Sequence, residues 1–291
     1  MTEPSLSFGR FRFGHQDPTC SLDDGCLRLA AMTPDGPATL TAGPSGPIRF
    51  DGPGRTTLEA RSIDPRGERD TFRSLEHDCP AAQSAASYPV VRELEKRWGH
   101  VRFGRTGDVY RAAVTSVLGQ RITAAEAVRQ WRRLCLTYGV VIDALVTPPE
   151  PARLAALVPY ELHRHGIEEA RARTIIAVAQ VFDRPGSHHV DTDAAMRRLD
   201  REVPRFGPWT QALVRAEALG DPDSVAVGDF HLKNVVATSL ARRPRGTDDE
   251  MLELLAPYAG QRGRVLSWLS LEGVRAPKFG PRRRNIDIRR L

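Results

Sequence analysis

Val203–Asn234 reads VPRFGPWTQALVRAEALGDPDSVAVGDFHLKN, and the placement of its prolines and glycines decides how the chain is organised. Pro204 and Gly207 permit a tight reversal of the backbone. Pro208, with its fixed φ and missing N–H, suits the first position of a helix running from Trp209 to about Leu219. Upstream, Asp191 or Thr192 caps a helix over Ala194–Glu202, so a helix, a hairpin and a second helix are written in order. The second helix opens with unpaired N–H groups and a positive dipole end at Gly207–Thr210, which suits a phosphate oxygen. Gly220-Asp221-Pro222-Asp223 ends it, Val225–Val227 is a short apolar piece, and Asp229 stands where a further helix, Phe230 to about Leu240, begins. Asp229 is the candidate functional carboxylate; taken alone, an Asp at that place is a helix cap.

Outward from the hairpin the chain reads as helical. Pro89–Trp98 carries Val90, Val91, Leu94 and Trp98 on one face, and Val109–Leu118 is largely apolar. Thr123–Tyr138 starts at a Thr followed by Glu126, the pattern of a capping box. Pro151–Leu157 is short, and Glu168–Phe182 directs Ile175, Ile176, Val178, Ala179 and Phe182 to a core. Thr247–Tyr258 and Arg262–Leu271 complete a set of about ten helices. The start of the chain is different. Met1–Glu59 is rich in Gly, Pro and Thr, with runs at Leu27–Ala31, Ala38–Thr41, Ile48–Phe50 and Thr56–Ala60 separated by the turn sequences TPDGP and AGPSGP, which predicts a small antiparallel β region. Arg61–Ala86 is charged and irregular and reads as a linker. The expected class is α+β: a β-rich domain with linker over residues 1–80, an all-helical domain over 81–274 and a basic tail over 275–291.

Charge points to the partner class. The 291 residues carry a net charge of +6, which fits a nucleic acid. Arg275, Lys278, Arg282, Arg283, Arg284, Arg289 and Arg290 stand against Asp287 alone in the tail, so the excess sits there and the rest of the chain is balanced. The tail is therefore expected to contact phosphates without reading bases. Cys20, Cys26, Cys79 and Cys135 show no ligand spacing; Cys20 and Cys26 could meet in a hairpin, but the reading favoured is free thiols in a reducing cytoplasm. His188-His189 and His163-x-His165 lack a third ligand nearby and read as loop or surface residues. The start has no apolar signal core and no apolar run approaches membrane-spanning length, so a cytoplasmic protein is expected, at the nucleoid when bound to DNA and without a membrane partner.

In PRFGPWTQA (Pro204–Ala212), VAVGDFHLK (Val225–Lys233) and VTSVLGQRIT (Val114–Thr123) the chain resembles the helix-hairpin-helix DNA glycosylases, and within them the bacterial 3-methyladenine (alkylpurine) DNA glycosylase II type. The family favours P-G-x-G-x-W-T-A at the first segment, an Asp twenty residues after the Trp in the second, and L-G-Q in the third. All three occur in order, at matching separations, within Asp108–Gly273. The resemblance implies base excision repair by a monomer: a damaged base is flipped out of duplex DNA, and its bond to the sugar is hydrolysed. Breaking that bond leaves oxocarbenium character on C1′, which an ionised Asp229 stabilises while it directs the attacking water. Relatives that also cut the strand carry a Lys where this chain has Trp209, so the resemblance implies a monofunctional enzyme acting on alkylated purines of the 3-methyladenine and 7-methylguanine type.

The resemblance also distributes roles. Trp209, Leu213, Phe230 and Trp268 would form the substrate pocket, the indole of Trp209 facing a cationic base; the alternative is a structural Trp in the helix interface. Gln120, Arg121, Arg205, Gly207, Thr210 and Lys233 would bind DNA, with Arg121 entering the duplex where the family commonly has an apolar wedge, and Lys233 holding a phosphate. For Arg121 an ordinary surface role is the alternative. Arg205 replaces the family's first hairpin Gly, which adds charge while restricting the backbone. Backbone carbonyls of Arg201, Val203 and Phe206 would hold a structural Na+ or K+; no other cofactor is expected, and the iron-sulfur cluster of some relatives is not, since Cys135 is the last cysteine. Two readings compete. A catalytically idle helix-hairpin-helix protein would use Asp229 only as a cap, and a helix-turn-helix regulator would need base-reading side chains where Trp209, Ala212, Leu213 and Val214 stand.

Overall fold

Tight turns shape the first part of the computed structural model, which describes residues 3–83, 88–184 and 191–277. After α1 (Glu3–Phe8), β1 (Cys20–Asp23), β2 (Cys26–Thr33), β3 (Gly36–Ala42) and β4 (Arg49–Asp51) form one antiparallel meander in sequence order. Asp24 and Gly25 both have positive φ, 51° and 74°, so β1 and β2 join through a two-residue turn whose twist matches the strands. The register Leu29↔Leu40 and Leu40↔Phe50 brings Leu27, Leu29 and Leu40 into a core with Phe8, Phe11 and Leu58. Thr56–Ala60, expected as a strand, is instead occupied by α2 (Arg55–Glu59), because the chain reverses at Gly52 (φ 97°) and one helical turn suffices to bury Leu58 against the sheet. Arg61–Ala86, expected as a linker, contains α3 (Leu75–Asp78) and a 3₁₀ turn at Pro80–Gln83, with Phe72, Leu75 and Cys79 buried. All four cysteines are free thiols.

The helical part runs α4 (Pro89–Trp98), α5 (Val109–Gly119), α6 (Ala124–Tyr138), a short hairpin of β5 (Val141–Ile142) and β6 (Leu145–Val146), α7 (Pro151–Ala155), α8 (Pro159–His163), α9 (Glu169–Phe182), α10 (Thr192–Glu202), α11 (Pro208–Val214), α12 (Leu232–Ala241), α13 (Asp248–Leu255) and α14 (Arg262–Leu271). The short α8 was not foreseen in the sequence. Thr123 accepts from the Glu126 amide at 3.3 Å, but the Glu126 carboxylate turns to Arg129 and Gln130, so the expected capping box is half formed. The reciprocal box forms at α13 between Thr247 and Glu250. Among the described residues no helix is long and apolar enough to cross a membrane.

Burial from Val109 to Leu118 makes α5 the central helix, as an apolar circumference requires. Around it Trp131, Leu134, Ile175, Val178, Leu199, Phe206 and Val214 form one core, while a second joins Val91, Val236, Leu255, Tyr258 and Trp268. Arg111 on α5 is buried and donates to Asp17 Oδ2 and the Phe11 carbonyl, each at 2.9 Å, and to Glu217. This cluster ties the sheet region to α5 and to the π-helical turn Arg215–Leu219 that continues α11. Burial pushes the Glu217 carboxyl up to about 6 in spite of the Arg111 guanidinium.

Candidate active site

Asp191 starts the first arm of the hairpin by accepting from the Ala194 amide at 2.8 Å, and α10 ends at Glu202. Phe206 is buried under the turn, Gly207 is the N-cap and Pro208 the first residue of α11. A Cβ at Gly207 would meet nothing within 4 Å, so this amide edge is open to a ligand. Arg205 takes the left-handed conformation at φ 61°, and Arg121 does so at φ 62°. For side chains with a Cβ such conformations cost free energy and concentrate at functional sites. Both arginines border the same cleft.

That cleft, about 390 Å³, brings together Gln120, Arg121, Arg205, Gly207, Trp209 and Thr210 from two separate stretches of chain. Gln120 Nε2 stitches them, donating to Thr210 Oγ1 at 2.9 Å and to the Arg205 carbonyl at 3.3 Å. Trp209 Cη2 lies 3.4 Å from where a Gly119 Cβ would stand, so the glycine lets the indole rest on the α5–α6 loop. Glu168 and Arg171 also line the cleft, and the sequence reading missed both. Arg171, 4% exposed, donates to the Leu118 carbonyl and to Gln130 Oε1, each at 2.9 Å, and so holds the end of α5 that presents Gln120 and Arg121. Burial lowers its guanidinium pKa from the ordinary value, against the pull of Glu168 and Glu126. Three guanidinium groups against one carboxylate make the walls suited to an anion.

Asp229 is joined to the cleft through Trp209. Indole Nε1 donates to Asp229 Oδ2 at 3.1 Å, while Oδ1 accepts the amides of His231 at 2.8 Å and Leu232 at 2.9 Å. Capping and the tryptophan bond therefore coexist on one carboxylate, and α12 begins two residues later than expected because Asp229 caps it from outside. Charge-assisted bonds of this kind fix a carboxylate in place and leave lone pairs for a further partner.

Other expected site residues lie elsewhere. Trp268 is 0% exposed, edge-on to Phe72 with centroids 5.7 Å apart, and belongs to the second core rather than to a pocket. Phe230 is 76% exposed and stands edge-on to His231, since α12 starts beyond it. Leu213 is half-buried, one turn beyond Trp209, and does not line the cleft. Lys233, expected at a phosphate, donates to Asp248 Oδ2 at 3.0 Å. Of the hairpin carbonyls, Phe206 accepts from Gln211 Nε2 at 3.0 Å and keeps a second lone pair; Arg201 lies in the last turn of α10, beyond its hydrogen-bond ladder, and Val203 follows. Neutral backbone oxygens at the end of a helix fit a monovalent cation. Among the described residues no group of three or more His, Cys, Asp or Glu could hold a metal ion. From Lys278 onward the basic tail lies outside the described residues, as do His188 and His189.

No protein-family model matches the chain. It is 33% identical over 154 residues, half of its own length, to a probable bifunctional transcriptional activator/DNA repair enzyme AlkA of Mycobacterium tuberculosis, of which the match takes in 30%. It is 22% identical over 191 residues to the DNA-3-methyladenine glycosylase of Bacillus subtilis, covering 62% of each chain. The chain thus spans less than two thirds of the length of these relatives. A 3-methyladenine DNA glycosylase from Archaeoglobus fulgidus superposes with a TM-score of 0.69 at 16% identity over 92% of this chain and 94% of that one, which establishes the fold.

Proposed function

We propose that this chain, a member of the helix-hairpin-helix DNA glycosylase superfamily, excises alkylated purines of the 3-methyladenine and 7-methylguanine type from duplex DNA by hydrolysing the N-glycosidic bond in base excision repair. The observation that carries the reading is the Trp209–Asp229 hydrogen bond, which places a rigidly held carboxylate beside an indole at the edge of a cationic cleft. Gly207, Thr210 and Arg205 hold backbone phosphates, and Arg121 enters the duplex from the α5–α6 loop, its guanidinium plane stacking in the space of the extruded nucleotide. Trp209 faces the flipped base; its electron-rich ring attracts a ring cationic through alkylation, which is also the better leaving group.

As the glycosidic bond breaks, positive charge develops on C1′. Asp229 lowers the energy of that charge and aligns a water for attack, accepting its proton as the new C–O bond forms. Strand cleavage through a Schiff base needs a free amine; Trp209 has none, and Lys233 Nζ is engaged by Asp248. The products are a free base and an abasic site in an unbroken strand. A monovalent cation on the Arg201, Val203 and Phe206 carbonyls would add positive potential beside a bound phosphate.

Incubation with methylated duplex DNA, assayed for released base before and after hot alkali, tests the reading. Base release with breaks appearing only after alkali supports it. No release, with DNA binding intact, would leave the idle DNA-binding protein whose Asp229 is only a cap. A covalent adduct trapped by borohydride would overturn the hydrolytic assignment.

A further inference from the structure

The turn that carries Asp229 is gripped from a helix remote in sequence. Asp248, the first residue of α13, accepts the Gly228 amide on Oδ1 at 3.0 Å and the Lys233 ammonium on Oδ2 at 3.0 Å. These partners flank Asp229, one residue before it and one turn after it. Gly228 has φ 91°, a conformation that glycine adopts and side chains avoid, and with no side chain of its own it is held here through its amide. Asp248 is itself well held: Thr247 and Glu250 cap α13 reciprocally, and Asn234 Oδ1 of α12 accepts the Gly246 amide at 3.1 Å. Burial would raise the Asp248 carboxyl, but Lys233 and the Gly228 amide together hold it below the ordinary carboxylate value, so it stays an anion that can serve both donors.

We propose that Asp248 is a positioning residue for the reaction, clamping the main chain on both sides of Asp229 so that the carboxylate keeps its geometry toward Trp209 and the sugar. The proposal rests on the reading of Asp229 as the catalytic carboxylate. Asp248 acts only through Gly228 and Lys233, and its two oxygens divide the work. The Gly228 bond sets where Asp229 leaves the preceding turn, and the Lys233 bond anchors the first turn of α12, whose amides hold Asp229 Oδ1. Displacements of the order of 1 Å in a reacting group cost about a hundredfold in rate, whereas DNA affinity is set by the hairpin and the cleft and should not follow.

The test uses the full chain and three variants, Asp248→Ala, Asp248→Asn and Lys233→Met, each checked for a folded circular dichroism spectrum at the assay temperature. Single-turnover base release from alkylated duplex is compared with affinity for a duplex containing an abasic-site analogue. Asp248→Ala should slow release by about ten- to a hundredfold with affinity within about threefold. Asp248→Asn keeps an acceptor for Gly228 and should recover most of that loss, and Lys233→Met should be milder than Asp248→Ala for the same reason. Hydrogen exchange supplies a readout independent of activity: Asp248→Ala should raise exchange at residues 228–232 and leave residues 203–214 unchanged. Wild-type release by Asp248→Ala, a parallel fall in rate and affinity, or unaltered exchange at 228–232 would each overturn the proposal. A wild-type chain that releases no base refutes the glycosylase reading, and the exchange measurement still decides whether Asp248 clamps the turn.

Discussion

Replacing Arg205 by Ala and, separately, by Gly should divide its two physical effects, because the residue combines a cationic side chain on the cleft with a left-handed backbone at φ 61°. Holding a side chain with a Cβ in that region costs about 1–2 kcal/mol, and Ala bears the same cost as Arg. Gly is free of it but gives up about 0.4–1 kcal/mol through the greater entropy of its unfolded chain. The difference leaves Arg205→Gly more stable than Arg205→Ala by roughly 0.5–1 kcal/mol, or about 1–4 °C in Tm for a chain of this size. Both variants lose the same charge. Each should therefore weaken binding to damaged and undamaged duplex alike and reduce the slope of log affinity against log salt by about one. Scanning calorimetry reads the first effect and fluorescence anisotropy across a salt series the second. An Ala variant more stable than the Gly variant would refute the strain argument; an unchanged salt slope would remove Arg205 from the phosphate interface.

Trp209→Phe keeps a ring in the cleft but removes the N–H held by Asp229 Oδ2, and a hydrogen bond to a charged group is worth about 1.5–3 kcal/mol, so single-turnover release should fall by roughly ten- to a hundredfold with DNA affinity little changed. Equal loss of rate and affinity would make Trp209 a packing residue instead. Glu217→Gln tests the buried cluster at Arg111. The folded carboxyl lies at about 6, above the unfolded value of about 4.3, so its contribution is fully present below the unfolded value and is lost as pH rises through about 6. Chemical denaturation of the wild type should therefore show roughly 2 kcal/mol less stability at pH 7 than at pH 4 from this group, and the Gln variant should lack that component. An identical pH dependence in the two proteins would rule it out.

The hairpin was legible because its signals are local. Pro204, Gly207, Pro208 and the Asp191 cap act within a few residues of one another, and the structure places each where the sequence puts it. Helices α4 and α14 were bounded correctly by Pro89 and by the end of an apolar run, yet the faces of α14 were not: RVLSWLSL is apolar or small around most of its circumference, so nothing in it tells a pocket tryptophan from a core one, and Trp268 is the core kind. Strand β1 has little apolar content, and its signal was the turn Asp24-Gly25, outside the apolar runs. Lys233 was assigned by its spacing from Asp229, whereas its partner Asp248 comes from another helix that only tertiary packing brings near. Arg171 and Glu168 were missed for the same reason. An arginine in a helix start reads as solvated until the carbonyl of Leu118, far away in sequence, is found beneath it.

The central claim is that the Asp229 carboxylate, beyond capping α12, provides the charge that the reaction needs. Asp229→Asn keeps an oxygen for the His231 and Leu232 amides while it removes the charge and, with it, the acceptor that faces Trp209 Nε1. Single-turnover release of 3-methyladenine from methylated duplex, measured beside binding to the same duplex, separates the two roles. Loss of a carboxylate facing a cationic transition state costs on the order of 3–5 kcal/mol, so release should fall by about two to four decades while binding stays within a few-fold. Release by the Asn variant at a rate near that of the wild type would contradict the account.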